Sequence, residues 1–440
     1  MTKAFALPPG PGRLQLARWA RLLGRDALGA FTKLHDQFGD VVYLPLPLLP
    51  VCLVRDPEMI GRILLDSSGD VVKLRELKRT HYSMVFGRGL FVSDGAYWHR
   101  HRVAATKAMR KRAAESEAAV VVAAARRMID AWRDGEARDL YDDTMILALD
   151  VALRSMAGVA AGDALPQICA DFRFVMEYFS SQSSVRRLAE MIIPGYVHPD
   201  FKRAIARLNA VVHDAVQQRR SAPGDDVLSH LLAGDDHFAE DEIRDETMNL
   251  ILGAHEPIAL AVTWTCALLA QHQDVQEALA AELRTTLGDR APSIADLSQL
   301  PLLSRVLTET LRLYPPIPGV GREARRDYEV GPYRVPKATQ LIMNQWVTHR
   351  DARLFPEPGA FRPERWENVR TNLPRYAYFP FGGGQRLCIG KNVAELQIML
   401  VLATLLVRFR FTPATDAMLE RTPSMMLRPL RARLIISSRP

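Results

Sequence analysis

The stretch Phe379–Ala394, FPFGGGQRLCIGKNVA, decides how the rest of this chain is read. Three consecutive glycines, Gly382 to Gly384, lead to a single cysteine, Cys388; Gly390 follows, and then an apolar run with helical spacing. A cysteine binds a metal as thiolate, so its pKa must be lowered. Nearby amide donors and the N-terminus of a following helix do that. Glycine lets the backbone come close to a flat partner. Arg386 is placed to pair with an anionic group on such a partner. The bland alternative is a glycine-rich turn beside a buried cysteine.

Outward from this stretch, the run Phe381-x-x-Gly384-x-Arg386-x-Cys388-x-Gly390 resembles the haem-binding signature of the cytochrome P450 family. Three further segments resemble that family in its own order. Glu309 and Arg312, in LTETLRLYPP, match its Glu-x-x-Arg, which stands on one face of a helix. Arg365, in FRPERW, matches the residue that completes a Glu–Arg–Arg cluster. Trp98 and Arg102, in YWHRHR, match its Trp-x-x-x-Arg, and Arg322, in PPIPGVGREA, stands where a further arginine is expected.

The resemblance covers nearly the whole chain. It implies the cytochrome P450 fold, mainly α with a smaller β region, as a single domain over residues 1–440. It implies a haem b cofactor with Cys388 as iron ligand, where a thiolate favours O–O cleavage. Phe381, Arg386 and Gly390 belong to the same loop; Trp98, Arg102 and Arg322 are implied contacts of the haem propionates. Glu309, Arg312 and Arg365 are implied structural braces.

The oxygen-facing helix is expected over Glu246–Ala270, and there the chain departs from the family pattern of small residue, glycine, any residue, acid, threonine. It reads Gly253-Ala254-His255-Glu256-Pro257: the small residues and the acid are present, and proline stands at the threonine position. Proline lacks the N–H that would bond the Gly253 carbonyl, so a local opening is expected without the hydroxyl. Efficient proton delivery, typically about 10²–10⁴-fold in rate, is therefore in question. Gly253, Glu256 and Pro257 are the distal catalytic candidates. Three readings stand: substrate or water replaces the hydroxyl in a monooxygenase; peroxide is the oxidant; or the substrate brings an N–O or O–O bond to a transferase, isomerase or dehydratase. A kink without chemical meaning is the bland alternative. His255 is read as pointing away from the iron.

By resemblance the substrate pocket includes Phe86, Phe91, Phe179, Leu252, Ile317, Val320, Met425 and Met426, an apolar lining that suits an apolar or amphipathic organic molecule. Lys73, Arg75, Lys78, Arg79 and Arg88 make its first loop basic. Lys107, Arg110, Lys111, Arg112 and Lys391 are read as a dock for an acidic ferredoxin or flavodoxin, against a generic basic helix face.

Bulk properties agree with a large globular enzyme. Of 440 residues, 48% are hydrophobic and 24% charged, with 57 Lys+Arg against 50 Asp+Glu for a net +7. The basic residues are dispersed, which argues against nucleic-acid binding. Cys52, Cys169, Cys266 and Cys388 form no CxxC pair, which excludes zinc ribbons and fits reduced thiols in a cytosol. MTKAFALPPGPG carries no signal-peptide pattern, and the best apolar run, Met399–Val407, falls short of the about 20 residues that span a bilayer. A cytoplasmic monomer without membrane anchor is expected. A haem sensor or ligand carrier ranks last, since no output domain is visible.

In coarse structure, helix is expected to Phe38, a proline-broken strand pair over VVYLPLPLLPVCLV, a helix over Pro57–Leu65, and irregular chain over Asp70–Gly89. Helices are expected from Tyr97 to Leu311, strands and turns after Pro315, and a helix from Cys388 to Arg408.

Overall fold

The computed structural model describes residues 6–46, 49–78, 80–112, 114–180, 196–234, 237–367, 373–414, 420–422 and 426–439. It is mostly helical, with ten short strands among the described residues. The contacts divide the chain into two compact units: Met1–Leu77 with Thr308–Lys391, and Lys78–Leu307 with Asn392–Pro440. Both boundaries toward the C-terminal side fall in helices, Pro301–Leu313 and Lys391–Arg408, so no Pro/Gly-rich linker marks them in the sequence.

The strands in chain order are β1 (Val41–Leu44), β2 (Val51–Val54), β3 (Val71–Val72), β4 (Glu136–Asp139) and β5 (Val320–Ala324). They continue as β6 (Tyr328–Val330), β7 (Tyr333–Val335), β8 (Gln340–Met343), β9 (Phe409–Pro413) and β10 (Arg433–Ser438). The first unit holds a five-stranded sheet in the order β1-β2-β8-β5-β3 and the hairpin β6-β7. β1 and β2 pair antiparallel with Val41 opposite Val54, so Pro45 and Pro50 fall outside the ladder, where a missing N–H does no harm. β2 pairs parallel with β8 and the other neighbours are antiparallel. Val41, Cys52, Val54, Ile60, Leu341 and Met343 build the core beneath this sheet. Asp56 caps the helix Pro57–Leu64 by accepting the Met59 N–H at 2.9 Å, with proline at the first turn.

The second unit is built on the helix Glu240–Gln271. It packs most extensively against the helix Leu140–Ala157, and it opens with Glu240, Asp241 and Glu242, which suit the positive end of a helix dipole. It is long and apolar enough to cross a membrane, which corrects the reading that placed the best apolar run at Met399–Val407. Most of its apolar stretch, 83%, is buried inside the protein, so core packing accounts for the composition. β4-β10-β9 form this unit's own sheet.

Three local expectations need correction. Asp70–Gly89 is not irregular: it holds β3, a 3-10 turn at Arg75–Lys78 and the helix Thr80–Phe86. The helical region after Tyr97 is interrupted by β4, whose EARD carries no apolar alternation and is held by pairing with β10. The C-terminal helix begins at Lys391, so Cys388 stands in the turn before it.

Candidate active site

Cys388 ends a closed loop. Its N–H donates to the Phe381 carbonyl at 3.0 Å, and Gly382 N–H donates to the Phe379 carbonyl at 2.9 Å. Gly382 and Gly384 have φ of +72° and +65°, a region side chains disfavour. A Cβ on Gly384 would stand 1.8 Å from the Leu64 carbonyl oxygen, and one on Gly383 would stand 2.4 Å from the Tyr376 ring. Gly383 and Gly384 thus seat the loop against the protein itself, which corrects the expectation that their missing side chains make room for a macrocycle.

The chemistry of the donor set fits a haem–thiolate. None of the four cysteines is in a disulfide; Cys388 is exposed and the other three are buried. Burial pushes the Cys52 thiol up to about 12 and raises Cys169 and Cys266 as well, so these are poor thiolates. Among the described residues no cluster of three His, Cys, Asp or Glu is arranged to hold a metal ion.

On the first unit, Phe381, Arg386 and Gly390 are half-buried around Cys388. Lys391 Nζ stands 5.9 Å from the Phe381 ring. Arg322 is buried on β5 and donates to the Gly321 carbonyl at 2.9 Å. Val320 is half-buried against the sheet core, and Ile317 is 37% exposed. Glu309, Arg312 and Arg365 meet: Arg312 donates to Glu309 through Nε at 2.8 Å and Nη2 at 2.7 Å, and Arg365 Nε donates at 3.0 Å.

His349, which the sequence reading missed, links that cluster to the cysteine loop. Its Nε2 accepts the Phe379 N–H at 3.0 Å, which places the ring proton on Nδ1, 3.3 Å from the Arg312 carbonyl. Burial, and then the Arg312 charge, lower its pKa from 6.5 to about 3. Between those values the unfolded chain binds a proton that the folded chain refuses, so stability present above pH 6.5 is lost as pH falls toward 3. The slope from this residue is at most about 1.4 kcal/mol per pH unit. Denaturant unfolding of haem-loaded protein between pH 7 and 5 is expected to show a shallower loss for His349→Gln than for wild type. Equal slopes would mean that His349 charges in the folded state.

On the second unit, Trp98 is buried and Arg102 half-buried on the helix Gly95–Lys111. The helix Glu240–Gln271 runs through Pro257 without a break in its assignment. Within its buried length, Gly253 is exposed and Ala254 and Pro257 are half-buried, and a Cβ on Gly253 would meet nothing within 4 Å. That open stripe is a face a flat ring can occupy. His255 points elsewhere: its Nδ1 lies 2.9 Å from the Ile251 carbonyl, its ring centroid is 5.0 Å from that of Phe172, and burial lowers its pKa.

Glu256 is buried and paired. Its Oε1 accepts Arg428 Nε at 2.5 Å and the Tyr141 hydroxyl at 3.0 Å. Burial opposes the Arg428 charge, but the bond to Glu256 together with the charges of Glu256, Tyr141 and Glu177 outweighs it and holds the pKa above the ordinary value. Burial, and then the Glu256 charge, push the Tyr141 hydroxyl up. Arg428 and Tyr141 were missed. The available signal was a lone arginine in the apolar run SMMLRPL, two residues beyond Met426 of the expected pocket.

Of the expected pocket, Phe86, Phe91 and Phe179 come together: the Phe86 ring centroid is 4.7 Å from Phe91 and 6.3 Å from Phe179. Leu252 and Met426 are buried, and Met425 lies outside the described residues. In the basic loop, Arg75 pairs with Glu323 at 2.9 Å and Arg88 lies 4.4 Å over the Tyr97 ring, so both have protein partners. Arg79 and the side chain of Lys78 lie outside the description. Lys107, Arg110 and Lys111 are exposed. Arg112 leaves the expected partner dock: its side chain is 7% exposed, ion-paired to Glu117 at 3.0 Å and bonded to the Ser155 carbonyl at 2.6 Å. A desolvated, paired arginine has little charge to offer a partner.

The closed glycine loop and its thiolate donor are those of a haem–thiolate protein. The cytochrome P450 family model matches residues 8–436, and the chain belongs to that family. It is 32% identical to cyclooctatin synthase of Streptomyces melanosporofaciens over 95% of this chain and 92% of that protein. It is 28% identical to cyclooctat-9-en-7-ol 5-monooxygenase of the same organism, covering 92% of this chain and 89% of the relative. Mouse mitochondrial 25-hydroxyvitamin D-1 alpha hydroxylase is 28% identical over 93% of this chain and 88% of its own length. The crystal structure of the cytochrome P450DA haem domain superposes with a TM-score of 0.86 at 23% identity, covering 99% and 98% of the two chains, which shows the fold. The family and that haem domain support a haem cofactor, and relatives in the family are monooxygenases.

Proposed function

We propose that this chain is a haem b monooxygenase that places one oxygen atom from dioxygen on an apolar or amphipathic organic molecule. The observation that carries this reading is Cys388, the exposed thiol among three buried ones, at the end of the closed glycine loop. A thiolate-ligated haem supplies O–O cleavage and oxygen transfer when bound. By the family resemblance Cys388 would hold it, and Trp98, Arg102, Arg322 and Arg386 are the residues offered to its propionates. Phe86, Phe91, Phe179, Leu252 and Met426 exclude water and hold apolar substrate. A ferredoxin or flavodoxin is the electron donor in this reading, and Lys107, Arg110 and Lys111 are the charges offered to it. The family's single domain and a monomeric state are part of the same reading.

The first probe is cyclooctat-9-en-7-ol, the compound in the name of a relative. Incubation with reduced ferredoxin and isotopically labelled dioxygen is expected to give a product with one labelled oxygen. Should no compound in an apolar panel take up label, while one with an N–O or O–O bond is converted without dioxygen, the second reading would replace the first.

That second reading, an oxidant carried by the substrate or peroxide, is favoured by one pair of observations. Pro257 offers no hydroxyl, and the adjacent carboxylate is bonded to Arg428 and Tyr141. Pro257→Thr separates the readings. Threonine restores a hydroxyl donor, and also an N–H able to bond the Gly253 carbonyl and narrow the open stripe. For the monooxygenase, wild type is expected to leak peroxide, and the variant to give severalfold more product per electron, less than the about 10²–10⁴-fold in rate that complete proton delivery is worth. No gain, with product formed in the absence of dioxygen, counts for the second reading.

A further inference from the structure

The loop after the helix Thr80–Phe86 carries Phe86 at one end and Phe91 near the other, and each backbone amide from Gly87 to Ser93 has an acceptor. Gly87 N–H donates to Ser83 at 2.9 Å, Gly89 to Phe86 at 3.0 Å, and Val92 and Ser93 to Gly89 at 3.1 Å. The other three amides turn to side chains of the helix Glu240–Gln271. Arg88 N–H donates to Asp245 Oδ2 at 2.7 Å, Leu90 N–H to Glu246 Oε2 at 3.4 Å, and Phe91 N–H to Asn249 Oδ1 at 3.1 Å. Asn249 Nδ2 donates back to the Phe86 carbonyl at 2.8 Å, so one amide group bridges the backbones of the two phenylalanines. Arg244 adds bonds to the Met84 carbonyl at 2.9 Å and the Val85 carbonyl at 3.3 Å.

The docking is too close for side chains. At Gly87, with φ +53°, a Cβ would stand 1.9 Å from the Asp245 carboxylate; at Gly89 it would stand 2.3 Å from Asn249 Nδ2. Surface loops normally leave their amides to water and move for that reason. This one has its backbone donors committed, and opening it would take the Phe91 donor from the buried Asn249 Oδ1 and the Arg88 donor from Asp245 Oδ2. The rings follow the backbone: Phe86 lies 4.7 Å from Phe91, and Tyr82 stacks on Phe179 at 4.2 Å.

We infer that Asn249 and Asp245 are positioning residues that fix the Phe86–Phe91 loop as a rigid wall, and that they set substrate shape through the placement of the two rings. This rests on the reading that Phe86 and Phe91 line the substrate pocket. Wall and pocket are tested separately on the haem-loaded protein. Hydrogen exchange of the segment 86–93 reports the clamp. Spectral titration with imidazole and with 4-phenylimidazole reports the wall, because both bind iron and one of them needs apolar space.

Asn249→Ala is expected to speed exchange of the Phe91 amide and its neighbours by about tenfold or more, the scale of a lost buried hydrogen bond. It is expected to change the 4-phenylimidazole to imidazole affinity ratio by a similar factor. Asn249→Asp keeps the acceptor for Phe91 but sets a carboxylate oxygen against the Phe86 carbonyl, so faster exchange and a changed ratio are expected from it too, and it serves if the alanine variant does not fold. Phe91→Leu should alter the ratio and leave exchange of the segment unchanged. Unchanged exchange in both Asn249 variants overturns the clamp. An unchanged ratio in the Asn249 variants, when Phe86→Leu or Phe91→Leu alters it, overturns the positioning role. Faster exchange with a ratio that no variant moves supports the clamp and removes the pocket reading instead.

Discussion

Replacing Cys388 by serine or alanine is expected to abolish the absorption band of thiolate-ligated haem in the reduced, carbon-monoxide-bound protein. The effect should be complete because none of the other three cysteines is suited to the position. Cys52 and Cys266 are fully buried and Cys169 is 4% exposed, and burial raises all three thiols, so none readily becomes a thiolate. Serine fills the same space, but a hydroxyl does not ionise at neutral pH and lacks the electron-donating character of sulfur. The glycine loop is closed by the Cys388 N–H and the Phe381 carbonyl, a bond both variants keep, so loss of the band would be chemical rather than a failure to fold. Reduced difference spectra of wild type and both variants check this. A wild-type protein that binds no haem, or variants with the band intact, would remove the basis of the proposed function.

Glu309→Ala and Arg312→Ala are expected to yield insoluble or haem-free protein. Glu309 is fully buried and accepts from Arg312 Nε and Nη2, Arg365 Nε, the Arg362 N–H and Trp366 Nε1. Arg312, equally buried, also donates to the carbonyls of His349 at 2.9 Å, Pro358 at 2.7 Å and Ala360 at 3.0 Å. Removing Glu309 leaves the buried Arg312 charge without its carboxylate, and removing Arg312 leaves Glu309 with Arg365 alone and strips three carbonyls of their donor, at a cost of about 3–5 kcal/mol. A folded domain has only about 5–15 kcal/mol in total. The damage is also directional. The carbonyls belong to the segment 349–360, and His349 passes from it to Phe379, where the cysteine loop begins. Arg312→Lys should fail nearly as badly, because an ammonium cannot serve Glu309 bidentately and three carbonyls together. Soluble yield, the ratio of haem to protein absorbance and thermal melting read the outcome. Variants that are soluble and haem-replete with an unchanged melting point would show that the cluster is not a brace.

Much of the fold was legible because its signals are local. The prolines between Val41–Leu44 and Val51–Val54, the Asp56-Pro57 cap, and the helical spacing after Lys391 act within a few residues. β4 was not legible: EARD has no strand pattern of its own, and a partner some three hundred residues later, β10, makes it one. Arg112 illustrates the limit for charges. In sequence it belongs to a basic run, and only the position of Glu117 and the Ser155 carbonyl removes it from the surface.

By itself the sequence determined the candidate ligand and its setting: one cysteine after a glycine-rich loop and before a helix, the Glu-x-x-Arg on one helix face, and proline in place of threonine at Pro257. Each is a pattern of residue types at fixed short spacing, and short spacing survives folding unchanged. Tertiary structure alone decided the partners. Glu256 meets Arg428 across 172 positions, and Asn249 meets the Phe86 carbonyl across 163. A buried carboxylate or amide must be satisfied, and the sequence shows that need without showing the group that meets it. It also could not show that Gly383 and Gly384 are small because Tyr376 and Leu64 occupy the space beside them, since which atoms fill that space is set by packing between segments far apart in the chain.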